Sequence, residues 1–132
     1  MLKLARERET LNVINDQFGA PTGADLLADV TAHSIKQVKS RPQDAGVYHL
    51  AAAGETTWFG YAKHVVNEST KGQEAPKIIV KEINAVASSA FPTAAKRPHN
   101  SRLYTAKLEQ AFGLLAPWKM GVNRMLKESN LT

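Results

Sequence analysis

The stretch from Leu11 to Leu27 constrains this chain more than any other. A short apolar run, Leu11-Asn12-Val13-Ile14, breaks into the polar, glycine-bearing segment Asn15-Asp16-Gln17-Phe18-Gly19-Ala20-Pro21. Past Pro21 the apolar residues Leu26, Leu27, Val30, Ile35 and Val38 recur at helical spacing, which predicts a helix from about Gly23 to Ser40. Thr22 stands where an N-cap is needed, because its hydroxyl can accept an orphan backbone N–H, and Asp25 three residues on can reach back toward the cap. The unit reads as strand, tight loop, helix. In open α/β sheets ligands gather in such loops, beyond the carboxyl ends of strands.

The flanking chain extends this pattern. Met1–Glu9 reads as a helix with Leu2, Leu4 and Ala5 on one side. A helix that opens at the first methionine without a cap implies a natural start further upstream. Val47-Tyr48-His49-Leu50-Ala51 is short, apolar and β-prone, and reads as a buried strand. Thr56 or Thr57 caps a helix from Trp58 to about Ser69, whose apolar side is Trp58, Tyr61, Ala62, Val65 and Val66. Ile78–Ile83 is the third strand, and the segment from Ala85 to Asn100 lacks periodicity and reads as a long loop. A short helix from Leu103 to Phe112, with Thr105 as its cap, ends at Gly113, and Pro117 opens a last helix with Met120, Val122, Met125 and Leu126 as its apolar positions. Three short strands alternating with five helices predict an α/β fold, yet make a poor sheet on their own.

The 132 residues suit one domain or a piece of one, and 43% hydrophobic with 22% charged residues is a globular balance. No apolar run approaches the roughly 20 residues that cross a bilayer, and the first residues lack the apolar core of a signal peptide. The chain has no cysteine, which removes disulfides, thiolate metal sites and a cysteine nucleophile, and fits a cytoplasmic protein. The formal charge of +5 raises nucleic acid as a partner. The basic residues are interleaved with Glu7, Glu9, Asp16, Asp25, Asp29 and Glu82, however, so a solvated surface is expected and no nucleic-acid or membrane partner.

The signatures of hydride chemistry are missing. No G-x-G-x-x-G turn occurs, although such a turn lets a helix N-terminus approach a pyrophosphate. No Tyr-x-x-x-Lys pair occurs either; Tyr104 and Lys107 are three apart, at the start of a different predicted helix. The four histidines, His33, His49, His64 and His99, are scattered, without the compact spacing of a zinc site. His49 reads as a core or edge histidine, and Trp58 and Trp118 read as core anchors at helix starts. Gln17 and Thr22 either face a ligand at the end of the first strand or simply build the turn and cap the helix. Arg97, in a loop before a proline, suits bidentate contact with a phosphate or carboxylate, or else an ion pair that pins the loop.

Three segments resemble, in order, the dTDP-4-dehydrorhamnose reductases of the extended short-chain dehydrogenase/reductase superfamily. They are Asp16-Gln17-Phe18-Gly19-Ala20-Pro21-Thr22, then Gly46-Val47-Tyr48-His49-Leu50 running into Thr57-Trp58, and Arg97-Pro98-His99-Asn100-Ser101-Arg102-Leu103. The resemblance covers nearly the whole chain but only the C-terminal part of that family. It implies the last strands of a Rossmann-like sheet with a substrate-binding lobe over residues 1–132, the cofactor-binding domain and catalytic pair lying upstream of Met1. It implies a dTDP-sugar as substrate, bound with the help of Gln17, Thr22 and Arg97, and a possible homodimer. The whole enzyme is expected to use NADPH or NADH, with Mg²⁺ as a further cofactor for which Asp25 and Glu128 are the nominated acids; no catalytic or cofactor-binding residue, and no firm cofactor binding, is expected of this chain alone. The alternatives are another nucleotide-sugar reductase or epimerase, or a non-catalytic module resembling the reductase-like subunit of methionine adenosyltransferase.

Overall fold

A computed structural model describes residues 1–71, 77–95, 97–113 and 115–129. The elements run α1 (Leu2–Glu7), β1 (Thr10–Ile14), β2 (Phe18–Gly19), α2 (Ala24–Ser40), β3 (Thr56–Thr57), α3 (Trp58–Ser69), β4 (Glu82–Val86), α4 (Ala106–Phe112) and α5 (Trp118–Ser129). The class is α/β, with five α-helices among the described residues, as the residue pattern predicts. Two small sheets form. β1 pairs in parallel with β4, from Thr10 opposite Glu82 to Ile14 opposite Val86. β2 pairs antiparallel with β3, Phe18 opposite Thr57 and Gly19 opposite Thr56.

Alternation on β1 sends Leu11 and Val13 to one face, where they join Ala5 of α1 and Ala62 of α3 in a buried cluster. A second cluster gathers Ala52, Val65, Trp118, Val122 and Leu126, so α3 is the wall shared by both. Ala62 faces the sheet and Val65 faces α5, three residues on and one turn further. The helix is fixed at its start by Thr57, whose hydroxyl accepts the Gly60 N–H at 3.1 Å while donating to Asn15 Oδ1 at 2.7 Å. One cap therefore ties the helix to the end of β1.

Several expectations are corrected by the packing. Val47–Ala51 is not a strand: among the described residues it has no strand partner, and Val47 is 82% exposed. The third strand lies at Glu82–Val86, because upstream of Thr10 stands α1 and not a strand; Ile79 and Val80 instead donate their N–H groups to the Ala5 carbonyl. Thr22 does not cap α2. Gly23 is the N-cap, without a side-chain bond, and the Thr22 hydroxyl donates to the Ala20 carbonyl and accepts the Ala52 N–H at 3.0 Å. Helix α4 begins three residues later than Leu103; Thr105 stands at its N-cap as expected, but its hydroxyl donates to Glu109 Oε1 instead of accepting a backbone N–H. Of the two tryptophans only Trp118 is a core anchor, at 6% exposure; Trp58 is 51% exposed. His49 is exposed as well.

Candidate functional site

The β1–α2 loop, the start of α3 and one side of α5 enclose a cleft of about 760 Å³. It exists because β2, only two residues long, pairs with β3 and brings the loop against the first turn of α3. Phe18, Trp58 and Tyr61 give it an aromatic wall, and the Trp58 and Tyr61 rings meet edge to face at 6.3 Å. Tyr61 is braced from behind by buried Trp118, with ring centres 6.4 Å apart. A half-exposed indole held in this way is a ready stacking surface for a flat ring.

Four of the five residues singled out from the sequence line this cleft: Gln17, Thr22, Asp25 and Glu128. Gln17 Nε2 donates to Ser88 Oγ at 2.8 Å. Asp25 and Glu128, 103 positions apart in sequence, are brought together by one guanidinium: Arg124 Nη1 lies 3.0 Å from Asp25 Oδ2, and its Nε lies 3.0 Å from Glu128 Oε1. Both acids hold the arginine charged, Glu128 first through its hydrogen bond and Asp25 through its charge, and raise its pKa above the ordinary value. Arg97 does not line the cleft; it is exposed and, among the described residues, makes no hydrogen bond or ion pair.

The segment that carries Arg97 is fastened at both ends to the exit of β1. At one end the Asp16 carboxylate accepts the Ser88 N–H and the Ser88 hydroxyl. At the other end Phe18 N donates to the His99 carbonyl at 2.8 Å and Ser101 N donates to the Phe18 carbonyl at 2.9 Å. The Ser88 side-chain and backbone bonds, helped by the charge of nearby His99, hold the Asp16 carboxyl below the usual carboxylate range against the opposing pull of desolvation. Asp16 and its neighbours thus place Arg97 in a loop closed at both ends.

Trp58, Tyr61 and Arg124 went unnoticed as site residues in the sequence. The signal at Trp58 was its place immediately after the capping threonine, where a helix's first turn extends past the neighbours that cover the rest of its apolar side. Arg124 carried only the local signal of an i,i+4 pair with Glu128 on its own helix, since its other partner, Asp25, lies on α2, 99 positions away.

The arrangement is that of a binding lobe: an aromatic-walled cleft with amide and hydroxyl groups at its rim, formed between a small α/β sheet and a helical pair. Comparison with known proteins agrees with that class. Residues 1–131 match the model of the RmlD substrate binding domain, and the chain belongs to that family. It is 55% identical over 97% of its length to the dTDP-4-dehydrorhamnose reductase of Escherichia coli K12, and 38% identical over 97% to that of Burkholderia thailandensis. It spans less than half of these relatives, 42% and 45% of their lengths. Among solved structures it is similar to the dTDP-4-dehydrorhamnose reductase of Bacillus anthracis in complex with NADP, with 27% identity and a TM-score of 0.75 over 96% of this chain and 41% of that one. The Clostridium acetobutylicum enzyme gives 25% identity and a TM-score of 0.77 over the same shares.

Neither implied cofactor fits the residues present. The chain has no glycine-rich pyrophosphate turn, and no described tyrosine hydroxyl is paired with a lysine ammonium. For Mg²⁺, the nominated Asp25 and Glu128 are both ion-paired to Arg124, and no group of three His, Asp or Glu among the described residues could hold a metal. A hard cation placed between them would sit against a guanidinium. No helix among the described residues is long and apolar enough to cross a membrane.

Proposed function

We propose that this chain is the sugar-nucleotide-binding part of a dTDP-4-dehydrorhamnose reductase, the enzyme that reduces dTDP-4-dehydro-L-rhamnose to dTDP-L-rhamnose with NADPH. The observation that carries the reading is the cleft itself, whose exposed indole and polar rim suit a base or sugar ring with hydroxyl groups. Charge orients the ligand. The end at Asp25 and Glu128 carries two carboxylates against one guanidinium, so a diphosphate is disfavoured there. It is assigned instead to the side of Phe18, whose backbone is bonded to His99 and Ser101 of the Arg97 loop, so that the free Arg97 guanidinium can pair with it in a bidentate manner. Gln17 and Thr22, already engaged with Ser88 and Ala52, shape the rim and offer their remaining hydrogen-bonding capacity to the ligand. Asp25 and Glu128 serve as anchors of Arg124 and not as metal ligands. The nicotinamide and the proton donor come from parts of the reductase that these residues do not supply.

Titration calorimetry of the chain with dTDP, together with its tryptophan fluorescence, tests the reading. Binding that quenches the indole and disappears in Trp58→Ala is expected. A folded chain that binds no dTDP at millimolar concentration would return the cleft to a passive role.

A further inference from the structure

Trp118 does not line the aromatic cleft. It lines a second, open groove of about 820 Å³ between the loop at residues 53–56, α3 and the start of α5. The loop is pinned across the first turn of α5 by two backbone bonds: Ala53 N donates to the Ala116 carbonyl at 2.9 Å, and the Ala53 carbonyl accepts the Trp118 N–H at 3.0 Å. The positive end of a twelve-residue helix therefore meets the groove. The Lys119 N–H, too early in α5 for an intrahelical acceptor, bonds to nothing among the described residues. Trp118 itself is only 6% exposed, and its indole N–H makes no hydrogen bond among them either. That nitrogen is not sealed in, since no enclosed side-chain nitrogen or oxygen lacks a partner among the described residues. Its polar edge faces Gly54, where a Cβ would lie 3.4 Å from Cδ1 and 3.8 Å from Nε1. Gly54 and Trp118 both line the groove, so this donor opens into it.

We propose that this groove is an oxyanion site and that its ligand is a phosphate group. The charges choose an anion. Lys63 and Lys119 stand in the wall, both exposed, over the Phe59 and Trp118 rings and without a carboxylate partner among the described residues. Glu55, the acid that lines the groove, is already held by Arg102 at 2.7 Å. His64, in the same wall, is bonded through Nε2 to Asn123 Oδ1 at 2.7 Å, which fixes its ring edge-on to Trp118. The donors choose the shape. An indole N–H, a backbone N–H at a helix start and two ammonium groups reach the space from different elements, and a tetrahedral group with several acceptor oxygens can meet more of them than a flat carboxylate can. A neutral acceptor would satisfy the indole but leave the lysines and the helix end unanswered. Free phosphate and a small phosphate monoester share this chemistry. The site stands apart from the reading of the aromatic cleft and does not depend on it.

The chain has two tryptophans, so its NMR spectrum carries two indole N–H signals, and Trp58 in the cleft serves as the internal control for Trp118. Inorganic phosphate and methyl phosphate are titrated separately into the full chain at constant pH and ionic strength, with chloride as the balancing anion. The Trp118 indole and the Lys119 amide should shift together and saturate while the Trp58 indole stays in place. Lys63→Gln combined with Lys119→Gln should weaken binding by about tenfold or more and leave the melting temperature unchanged, both side chains being exposed. Arg97→Ala should not alter it, since Arg97 lies outside the groove. Saturation by both probes admits phosphate esters, saturation by inorganic phosphate alone names the free ion, and either outcome carries the proposal. A drift that never saturates overturns it, as does an equal response to chloride. A Trp118 signal that saturates with unchanged affinity in the double lysine variant overturns it as well. Saturation confined to Trp58 and the Arg97 segment would place phosphate in the cleft and remove the groove as a site.

Discussion

The Asp16 carboxylate accepts the backbone N–H of Ser88 at 2.9 Å, joining two residues 72 positions apart. The Ser88 hydroxyl donates to the same carboxylate and accepts from Gln17, so one serine couples the end of β1 to the cleft rim and to the start of the Arg97 segment. A carboxylate with this many donors is favoured in its charged form.

The first prediction follows from that charge. Because the folded state holds Asp16 below its ordinary pKa, the stabilisation it contributes is fully present above the unfolded value and is lost as pH falls through the lowered folded value. Thermal melts between about pH 2 and 6 should show an acid limb that flattens in Asp16→Asn. Asp16→Ala should lower the melting temperature at neutral pH, and should do so less than additively with Ser88→Ala. An unchanged acid limb in Asp16→Asn would show that other carboxylates govern acid unfolding.

The two tryptophans should separate stability from binding. Trp118, packed with Val65, Val122 and Leu126, is expected to cost about 3–5 kcal/mol when cut to alanine, a large share of a domain's stability. Trp58, half exposed at the cleft, should cost far less, since its main loss is the edge-to-face contact with Tyr61, worth about 0.5–1.5 kcal/mol. Urea midpoints of both variants, set beside dTDP titrations, decide the matter. A Trp58→Ala protein as unstable as Trp118→Ala would make both residues core anchors.

What was legible in the sequence was local. Helix α3 with its Thr57 cap, and β1 with its alternating Leu11 and Val13, follow from spacing and capping within a few residues. The β2–β3 pairing that creates the cleft was not legible, because two residues per strand leave no periodicity and the partners are 37 and 39 positions apart. Thr22 misled for a related reason: its hydroxyl has capping chemistry, but the Ala52 N–H reaches it from across the fold. Val47–Ala51 misled differently. Val47 to Leu50 alternate in exposure, but Ala51 is buried out of turn and no strand pairs with the run among the described residues. Asp25 and Glu128, nominated from the sequence as magnesium ligands, are both paired with Arg124 instead.

Arg97 offers a sharp separation of binding from stability. It is exposed and makes no polar contact with the other described residues, so Arg97→Ala should leave the melting temperature within the small range of surface substitutions, about 0.5 kcal/mol either way. In calorimetry with dTDP the same variant should bind more weakly, by about tenfold if one charge-assisted bidentate contact of about 1.5–3 kcal/mol is lost in part to solvent. Arg97→Lys should recover only a fraction, lacking the planar fork. Equal affinity in all three proteins would remove Arg97 from the site.

The Arg124 ion pairs predict indifference to metal. With one oxygen of each acid already held by the Arg124 guanidinium, millimolar Mg²⁺ or EDTA should leave the melting temperature and the sedimentation of the chain unchanged. Arg124→Ala frees two carboxylates in one place, and is the variant in which a response to Mg²⁺ should first appear. A Mg²⁺-dependent shift in the wild-type chain would overturn the ion-pair assignment.

The last prediction concerns turnover. Reduction of a keto sugar needs a hydride donor seated on a pyrophosphate turn and a tyrosine whose proton is made available by a lysine. The chain has neither turn nor motif, and the structure explains why its nearest tyrosine–lysine pair is no substitute. Lys107 lies over the face of the Tyr48 ring, 4.5 Å from its centre, and donates to the Val47 carbonyl at 2.9 Å. The Tyr48 hydroxyl points elsewhere, donating to the Asp44 carbonyl at 2.6 Å, and the pair lies outside the aromatic cleft. Tyr104, the other tyrosine near Lys107 in sequence, is 77% exposed and likewise outside the cleft. Tyr61 does enter the cleft, but it packs between two indoles and no lysine lines that space. Purified chain mixed with NADPH and dTDP-4-dehydro-L-rhamnose should therefore show no loss of NADPH absorbance above the uncatalysed rate. Tyr48→Phe and Tyr61→Phe should not alter that baseline. NADPH consumption that scales with the concentration of this chain, and falls in either variant, would place a proton donor in these residues and sink the binding-lobe reading.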